Sequence, residues 1–349
     1  MRRLIYLCLA CVLVLSSCAY EIPTAYYFEG DITEPLMLYP DSYYSPIKGI
    51  IEPTTQAPPT EEPAAAETTQ GEETTEPAEP SMPLFNVDLP SISQLIEGYG
   101  EGVAVYYKNL DANMTYTFNS ETEFWGASVM KAPYALFLFN QADKGVLDLD
   151  EKLTYEEINF YEGTGKIKDM EFGAEFTIRE LISYSIIHSD NIAFDMLLKH
   201  MELGKYIAFM REIGMPHIQQ IRDVRNSRID AECIGVYINA INDYISSSAR
   251  HARELKNMLS NVYSKFILSS YPIAHKNGWA DKAFHDMAIV YNPHPYLLVI
   301  LSDRSEGDRD MFADISMAFE GFTNKYTDII VSQIVANNYA IPSVFDFGE

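Results

Sequence analysis

The stretch Phe124-Trp125-Gly126-Ala127-Ser128-Val129-Met130-Lys131-Ala132-Pro133 is apolar apart from one hydroxyl and, three residues on, one amine. In a helix, positions i and i+3 share a face, so Ser128 and Lys131 point into the same space. A lysine among Met, Ala and aromatic residues is poorly hydrated, which disfavours its charged form and lets the amine accept a proton. A serine within reach of such a base becomes a usable nucleophile. The same lysine could equally snorkel its amine to water from a core helix. Ser45-Pro46-Ile47-Lys48 repeats the spacing in a segment without folding signals, so the pair gains meaning only from company.

The chain has 349 residues, 47% of them hydrophobic, with 50 acidic against 25 basic side chains. Arg2 and Arg3 precede the apolar run Leu4 to Leu15, which is too short for a stable membrane span and reads as a signal peptide. The run ends in Leu15-Ser16-Ser17-Cys18, which resembles a bacterial lipobox. An ordinary signal peptide with a chance cysteine is the alternative. The lipobox reading assigns residues 1–18 to the leader and a lipid to Cys18, and predicts an extracytoplasmic protein anchored to the cell membrane. Cys233 is then the only remaining thiol, and no disulfide forms within the domain.

Residues 19–84 read as a tether. Residues 19–50 carry tyrosines and prolines without an assignable structure, and Glu52 to Pro83 is Pro, Thr, Glu, Ala and Gln with almost no large apolar side chain. Such a segment cannot offset its ordering entropy by burial. Its prolines and like charges favour an extended spacer, on the order of 200 Å at most at the polyproline rise. The tether and leader hold 13 acids and three bases, which leaves residues 85–349 with 37 against 22, a net charge of −15. That excludes a basic nucleic-acid footprint and argues against electrostatic docking on an anionic membrane.

Within residues 85–349, helical spacing runs from Pro90 to Tyr99. Strands are predicted over Gly102 to Leu110 and Met114 to Phe118, and the Ser128 helix extends to about Asp143. Thr177-Ile178-Arg179-Glu180 is a capping box that starts a helix at Ile178, interrupted at Ser189-Asp190-Asn191. Further helices are expected at about 204–213, 230–247 and 250–268. Three strands follow, Pro272 to Trp279, Phe284 to Tyr291 and Tyr296 to Leu301, and then a long amphipathic helix from about Arg309. The pattern predicts one α+β domain, its antiparallel sheet completed by both ends of the chain around an all-helical insertion.

Two further short motifs lie where a serine–lysine site needs them. Ser189-Asp190-Asn191 sits at a break between helices; Ser189 could relay a proton, and Asn191 could hold a substrate carbonyl or Lys131. Lys276-Asn277-Gly278 lies on the first late strand. Lys276 offers positive charge to a carboxylate, and Gly278 permits close backbone approach. The N–H of Trp279 could join that of Ser128 as an oxyanion hole. Alone, the first is a helix cap and the second a turn signal.

The three motifs occur in order, 61 and 87 residues apart. As a set they resemble the penicillin-recognising serine hydrolases, most closely the class A β-lactamase-like branch. The resemblance covers about residues 88–335. It implies a β-lactamase/transpeptidase-like fold, with Ser128 as acylating nucleophile and Lys131 as its general base. Ser189 is then the shuttle, Asn191 a substrate contact, and Lys276, Asn277, Gly278 and Trp279 the substrate-binding strand. Two departures stand out. Asn277 replaces the usual Thr or Ser, so carboxylate recognition has different geometry. The loop Met215 to Asp230 contains no glutamate to activate a deacylating water. Within it Asp223 reads as a surface or arginine-paired acid, and Glu232 after it as a first-turn dipole partner.

The seven histidines show no metal spacing, and Asp148-Leu149-Asp150 lacks a calcium-loop pattern. His275, and His285 with Asp286, read as core or edge residues rather than cleft residues. No cofactor or metal is therefore expected. The expected partners are a small-molecule or peptidoglycan-peptide substrate and, through Cys18, a membrane; the protein is expected to be a monomer. The sequence supports an acyl hydrolase poor at β-lactam turnover. A non-catalytic wall-binding protein and a working class A β-lactamase are the competing readings.

Overall fold

The computed structural model describes residues 81–216, 223–304, 308–343 and 345. The expected signal peptide, Cys18, residues 19–80 of the tether and residues 217–222 of the Met215–Asp230 loop lie outside them. The described chain opens with β1 (Phe85–Asn86), α1 (Pro90–Glu97), β2 (Val103–Asn109) and β3 (Met114–Phe118). A short strand β4 (Phe124–Trp125) and a 3-10 turn (Ala127–Met130) lead into α2 (Lys131–Asp143). The middle consists of β5 (Lys152–Thr154), β6 (Glu175–Thr177), α3 (Ile178–Ile187), α4 (Asn191–His200), α5 (Leu203–Glu212), β7 (Arg228–Ile229), α6 (Ala231–Ile245) and α7 (Ala252–Ser260). The closing elements are β8 (Ile273–Ala280), β9 (Ala283–Val290), β10 (Tyr296–Ser302) and α8 (Arg309–Ala336).

One six-stranded sheet, in the order β1-β3-β2-β10-β9-β8, unites the two ends of the chain. β10 makes the junction, pairing antiparallel with β2 so that Tyr296 faces Asn109 and Ser302 faces Val103. The expected antiparallel sheet needs one amendment: the two-residue β1 lies parallel to β3, because α1 and β2 return the chain to its starting direction. β10 reads as an almost unbroken apolar run because both of its faces are buried. Tyr296, Leu298 and Ile300 pack with residues of α1 and α8, whereas Leu297, Val299 and Leu301 pack with residues of α2 to α7. Each such side chain contributes about 1.5–3 kcal/mol on burial. The architecture is therefore helix, sheet, helical layer, with β8 at one sheet edge.

α2 is buried on nearly every side, as a helix apolar all round must be. The predicted capping box at Thr177 and Glu180 forms in both directions and starts α3. α7 stops at Ser260, well short of the expected 268. The amides of Phe266 and Ile267 donate instead to Asp286 Oδ2, at 2.8 and 3.0 Å, which commits that backbone to a non-helical path. The expected last helix is a single 28-residue element. Among the described residues, no helix is long and apolar enough to cross a membrane.

Candidate active site

The approach to Ser128 is fixed by a small two-stranded sheet. Phe124 and Trp125 pair with Ile229 and Arg228, and Gly126 N–H donates to the Ser227 carbonyl at 2.9 Å. Ala127 then adopts φ +46°, the left-handed region that a Cβ disfavours, immediately before Ser128. This turn delays the helix expected from Ser128. Ala127–Met130 form a 3-10 turn, and α-helical geometry begins at Lys131. Ser128 is half-buried, whereas Lys131 is only 2% exposed. The first N–H groups of a helical turn have no partner within it, so those near Ser128 are available to an incoming oxygen.

Lys131 does not snorkel to water. Its Nζ donates to the Ser189 carbonyl at 2.5 Å and to Asn191 Oδ1 at 2.8 Å, and lies 3.3 Å from Ser189 Oγ. The Phe194 ring covers the amine, its centroid 5.8 Å away. Burial holds Lys131 well below the usual lysine range; repulsion by Lys276 and Arg225 adds to this, and Asp190 pulls the other way. Among the described residues, Ser128 Oγ has no hydrogen-bond partner of its own.

The Ser-Asp-Asn break is rigid. Ser189 sits at φ +52°, and Asp190, fully buried, caps α4 by accepting from the N–H groups of Ile192 and Ala193, both at 2.9 Å. Its second oxygen accepts from Lys166 N and Ile167 N at 2.6 and 2.9 Å. Asn191 N–H donates to the Thr164 carbonyl at 3.0 Å. Gly163 and Gly165, at φ +125° and +135°, let this loop close over Asn191 and Asp190; a Cβ at either would collide with those side chains.

The third motif arrives on β8. A Cβ added to Gly278 would lie 2.7 Å from both Ser128 N and Val129 N, so only glycine admits this approach. Lys276 and Gly278 share the face turned to the α2 layer. The Lys276 Nζ reaches Ser189 Oγ at 3.1 Å and its neighbour's carbonyl, Asn277 O, at 2.7 Å. Ser189 Oγ therefore stands between two buried amines. Burial pushes Lys276 down to about 7, against the pull of Asp286.

Alternation turns Asn277 to the other face, opposite Asp286, although its Oδ1 still lies 3.5 Å from Lys276 Nζ. Trp279 stands at the strand end with 49% of its surface exposed, and it does not fill core. The structure thus gathers Ser128, Lys131, Ser189, Asn191, Lys276 and Gly278. Asn277 and Trp279 lie at the margin.

The histidines take structural places. His275 Nδ1 pairs with Asp286 at 3.1 Å. His285 Nε2 donates to the Trp125 carbonyl at 2.8 Å while its Nδ1 accepts from Ser302 N at 3.1 Å; burial pushes it down to about 4. In the glutamate-free loop, Asp223 is exposed and accepts from Arg225 N and Asn226 Nδ2. Glu232 lies exposed in the first turn of α6.

Sequence reasoning misses the buried role of Asp190 and the group Asp195, Arg225 and Tyr161. The Arg225 guanidinium pairs with Asp195 on α4, and its Cζ sits 5.2 Å from the Tyr161 ring centroid. The Gly163-Thr164-Gly165 spacing is a signal that could have pointed to the first of these.

Comparisons with known proteins bear on the family and the fold. A family model described as the beta-lactamase enzyme family matches residues 90–320. The beta-lactamase VEB-1 of Pseudomonas aeruginosa is 34% identical over 100 residues, 28% of this chain and 33% of that protein. The chain thus matches about a third of the length of that curated relative. The solved structure of PBP-A shares the fold, with a TM-score of 0.61 and 18% identity over 69% of this chain and 100% of that one. A mutant of PBP-A, solved as an acyl-enzyme complex with penicillin G, is similar at TM-score 0.58 and 19% identity, over 66% and 95% of the two chains. The match across residues 90–320 spans β2 to β10, the helical layer and all three motifs, and the chain belongs to the beta-lactamase enzyme family.

Proposed function

We propose that the protein is an exported, lipid-anchored serine acyl hydrolase that is acylated at Ser128, acts on a cell-wall peptide, amide or ester, and releases the acyl group slowly. The observation that carries this reading is the state of Lys131: buried, held by Ser189 and Asn191, and depressed in basicity. As a free base it takes the Ser128 hydroxyl proton while Oγ attacks the acyl carbon. The carbonyl oxygen, now negative, is met by the N–H groups at the start of the 3-10 turn. Ser189 Oγ, between Lys131 and Lys276, passes the proton to the leaving group as the carbon–heteroatom bond breaks. Lys276 attracts a substrate carboxylate.

Slow release rests on the loop Met215 to Asp230, which has no glutamate, and whose Asp223 already accepts from Arg225 N and Asn226 Nδ2. The acyl-enzyme described for the PBP-A mutant supports penicillin as a probe of Ser128. The lipid on Cys18 and the tether would hold the domain outside the cytoplasm, within reach of the wall.

Incubating the full chain with a fluorescent penicillin or a fluorophosphonate should label Ser128, and Ser128→Ala should abolish the label. Equal labelling of the variant would sink the proposal. Nitrocefin should give a single burst without turnover. Steady turnover would point to a working β-lactamase, and wall binding that survives Ser128→Ala without any labelling would point to a binding protein.

A further inference from the structure

Asn191 and Asp195 stand four residues apart on α4, so their side chains share one helix face. Asn191 Oδ1 holds the Lys131 amine at 2.8 Å. One turn along, Asp195 holds Arg225 and also accepts from Lys199 Nζ at 2.7 Å. One carboxylate thus serves two cations, and the group retains a net positive charge. Tyr161 backs the guanidinium, and the loop bearing Tyr161 is tied to Asn191 through the Thr164 carbonyl. Arg225 therefore has a fixed place on the wall that carries Lys131, with 31% of its side chain exposed.

We propose that Arg225 is a positioning residue for Lys131: clamped by Asp195 one helical turn from Asn191, its cation holds the Lys131 amine as the free base that acylation needs. This rests on the reading of Lys131 as base and extends it to a residue outside the three motifs. The charged groups facing Lys131 are Lys276 from β8, Asp190 from the α3–α4 junction and Arg225 from the loop before β7, with Lys276 and Arg225 favouring the neutral amine and Asp190 opposing them. Asp195 itself pairs with both Arg225 and Lys199. The loop that lacks a glutamate thus supplies a cation, which favours proton uptake from Ser128, while its Asp223 is held by Arg225 N and Asn226 Nδ2.

The test is the pH profile of labelling by an uncharged fluorophosphonate, measured on the full chain for the native protein, Arg225→Gln and Arg225→Lys. Acylation rises with pH as Lys131 loses its proton. Removing a nearby positive charge raises the pKa of Lys131, so the rising limb of Arg225→Gln should move to higher pH, slowing labelling several-fold on that limb. The alkaline plateau should be unchanged, and Arg225→Lys, which keeps the charge, should restore the native midpoint. A uniform loss at every pH, or an unmoved midpoint, would overturn the proposal and leave Arg225 a loop brace. An NMR titration of ε-13C-labelled lysine, with the Lys131 resonance identified by its loss in Lys131→Arg, reads the same shift without any reaction. If no protein is labelled, the titration still decides whether Arg225 acts on Lys131, and only the acyl-hydrolase reading fails.

Discussion

Gly278 and Ser128 sit so close that a methyl group on the first would lie 2.7 Å from the backbone nitrogen of the second. Substrate backbone, strand and nucleophile can meet only where β8 presses on the turn before α2. Gly278→Ala should push β8 and the Ala127–Met130 turn apart. The expected cost is about 1–3 kcal/mol of overpacking strain. A displacement of this size at the nucleophile should also slow labelling about 100-fold or more. Urea denaturation and probe kinetics on the same preparation check both; unchanged kinetics would mean that the contact does not set the position of Ser128.

Asp190 should prove the structural keystone of the second motif. Its carboxylate accepts four backbone N–H groups with no exposed surface. Asp190→Ala strands those donors in the interior and should cost about 3–5 kcal/mol of stability. Asp190→Asn keeps one acceptor oxygen and should lose less. Thermal or urea melts decide this, and a loss below about 1 kcal/mol for the alanine variant would contradict the buried network.

The burial of Lys276 makes stability depend on pH. Its folded-state value is about 7 against an ordinary 10.5. Below about 7 the amine is charged in both states and the folded protein bears the full desolvation cost. Between about 7 and 10.5 the unfolded chain holds a proton that the folded one has released, so this group's contribution to stability rises with pH. Lys276→Met removes the penalty. It should be more stable than the native protein at pH 6, with the gap narrowing by pH 9, as read from urea midpoints. A gap that widened would reverse the sign and exclude a buried, depressed amine.

Ser128, Lys131, Ser189, Asn191, Lys276 and Gly278 are legible from sequence because each short motif coincides with a local break in pattern: an apolar helix start, an interrupted helix, a strand. The sheet built from both chain ends is legible because β2, β3, β8, β9 and β10 each announce themselves through alternation or an apolar run. The parallel β1, two residues long, carries no such signal. Nor does the end of α7, which is set by Asp286 some twenty residues downstream capturing the Phe266 and Ile267 amides. The Arg225–Asp195 pair is hidden for the same reason: thirty residues separate partners whose meeting depends on the packing of α4 against the loop before β7. Side-chain facing on β8 is a further limit. The spelling Lys-Asn-Gly invites three site residues, but strand alternation turns Asn277 away from Ser128.

The amine of Lys276 also predicts how charge on the substrate should matter. A carboxylate is attracted by the protonated amine, and protonation falls away as pH rises through about 7. Labelling of the full chain by a fluorescent penicillin, which carries a carboxylate, should therefore decline above about pH 7, approaching tenfold per unit. An uncharged fluorophosphonate does not use that attraction and should hold its plateau over the same range. The free-enzyme rate constant for labelling is the quantity to compare, since it reports groups titrating before the probe binds. Lys276→Arg keeps its charge to higher pH and should abolish the penicillin decline, at some cost in fit. Identical profiles for the two probes would remove Lys276 from carboxylate recognition and leave it only its contact with Ser189.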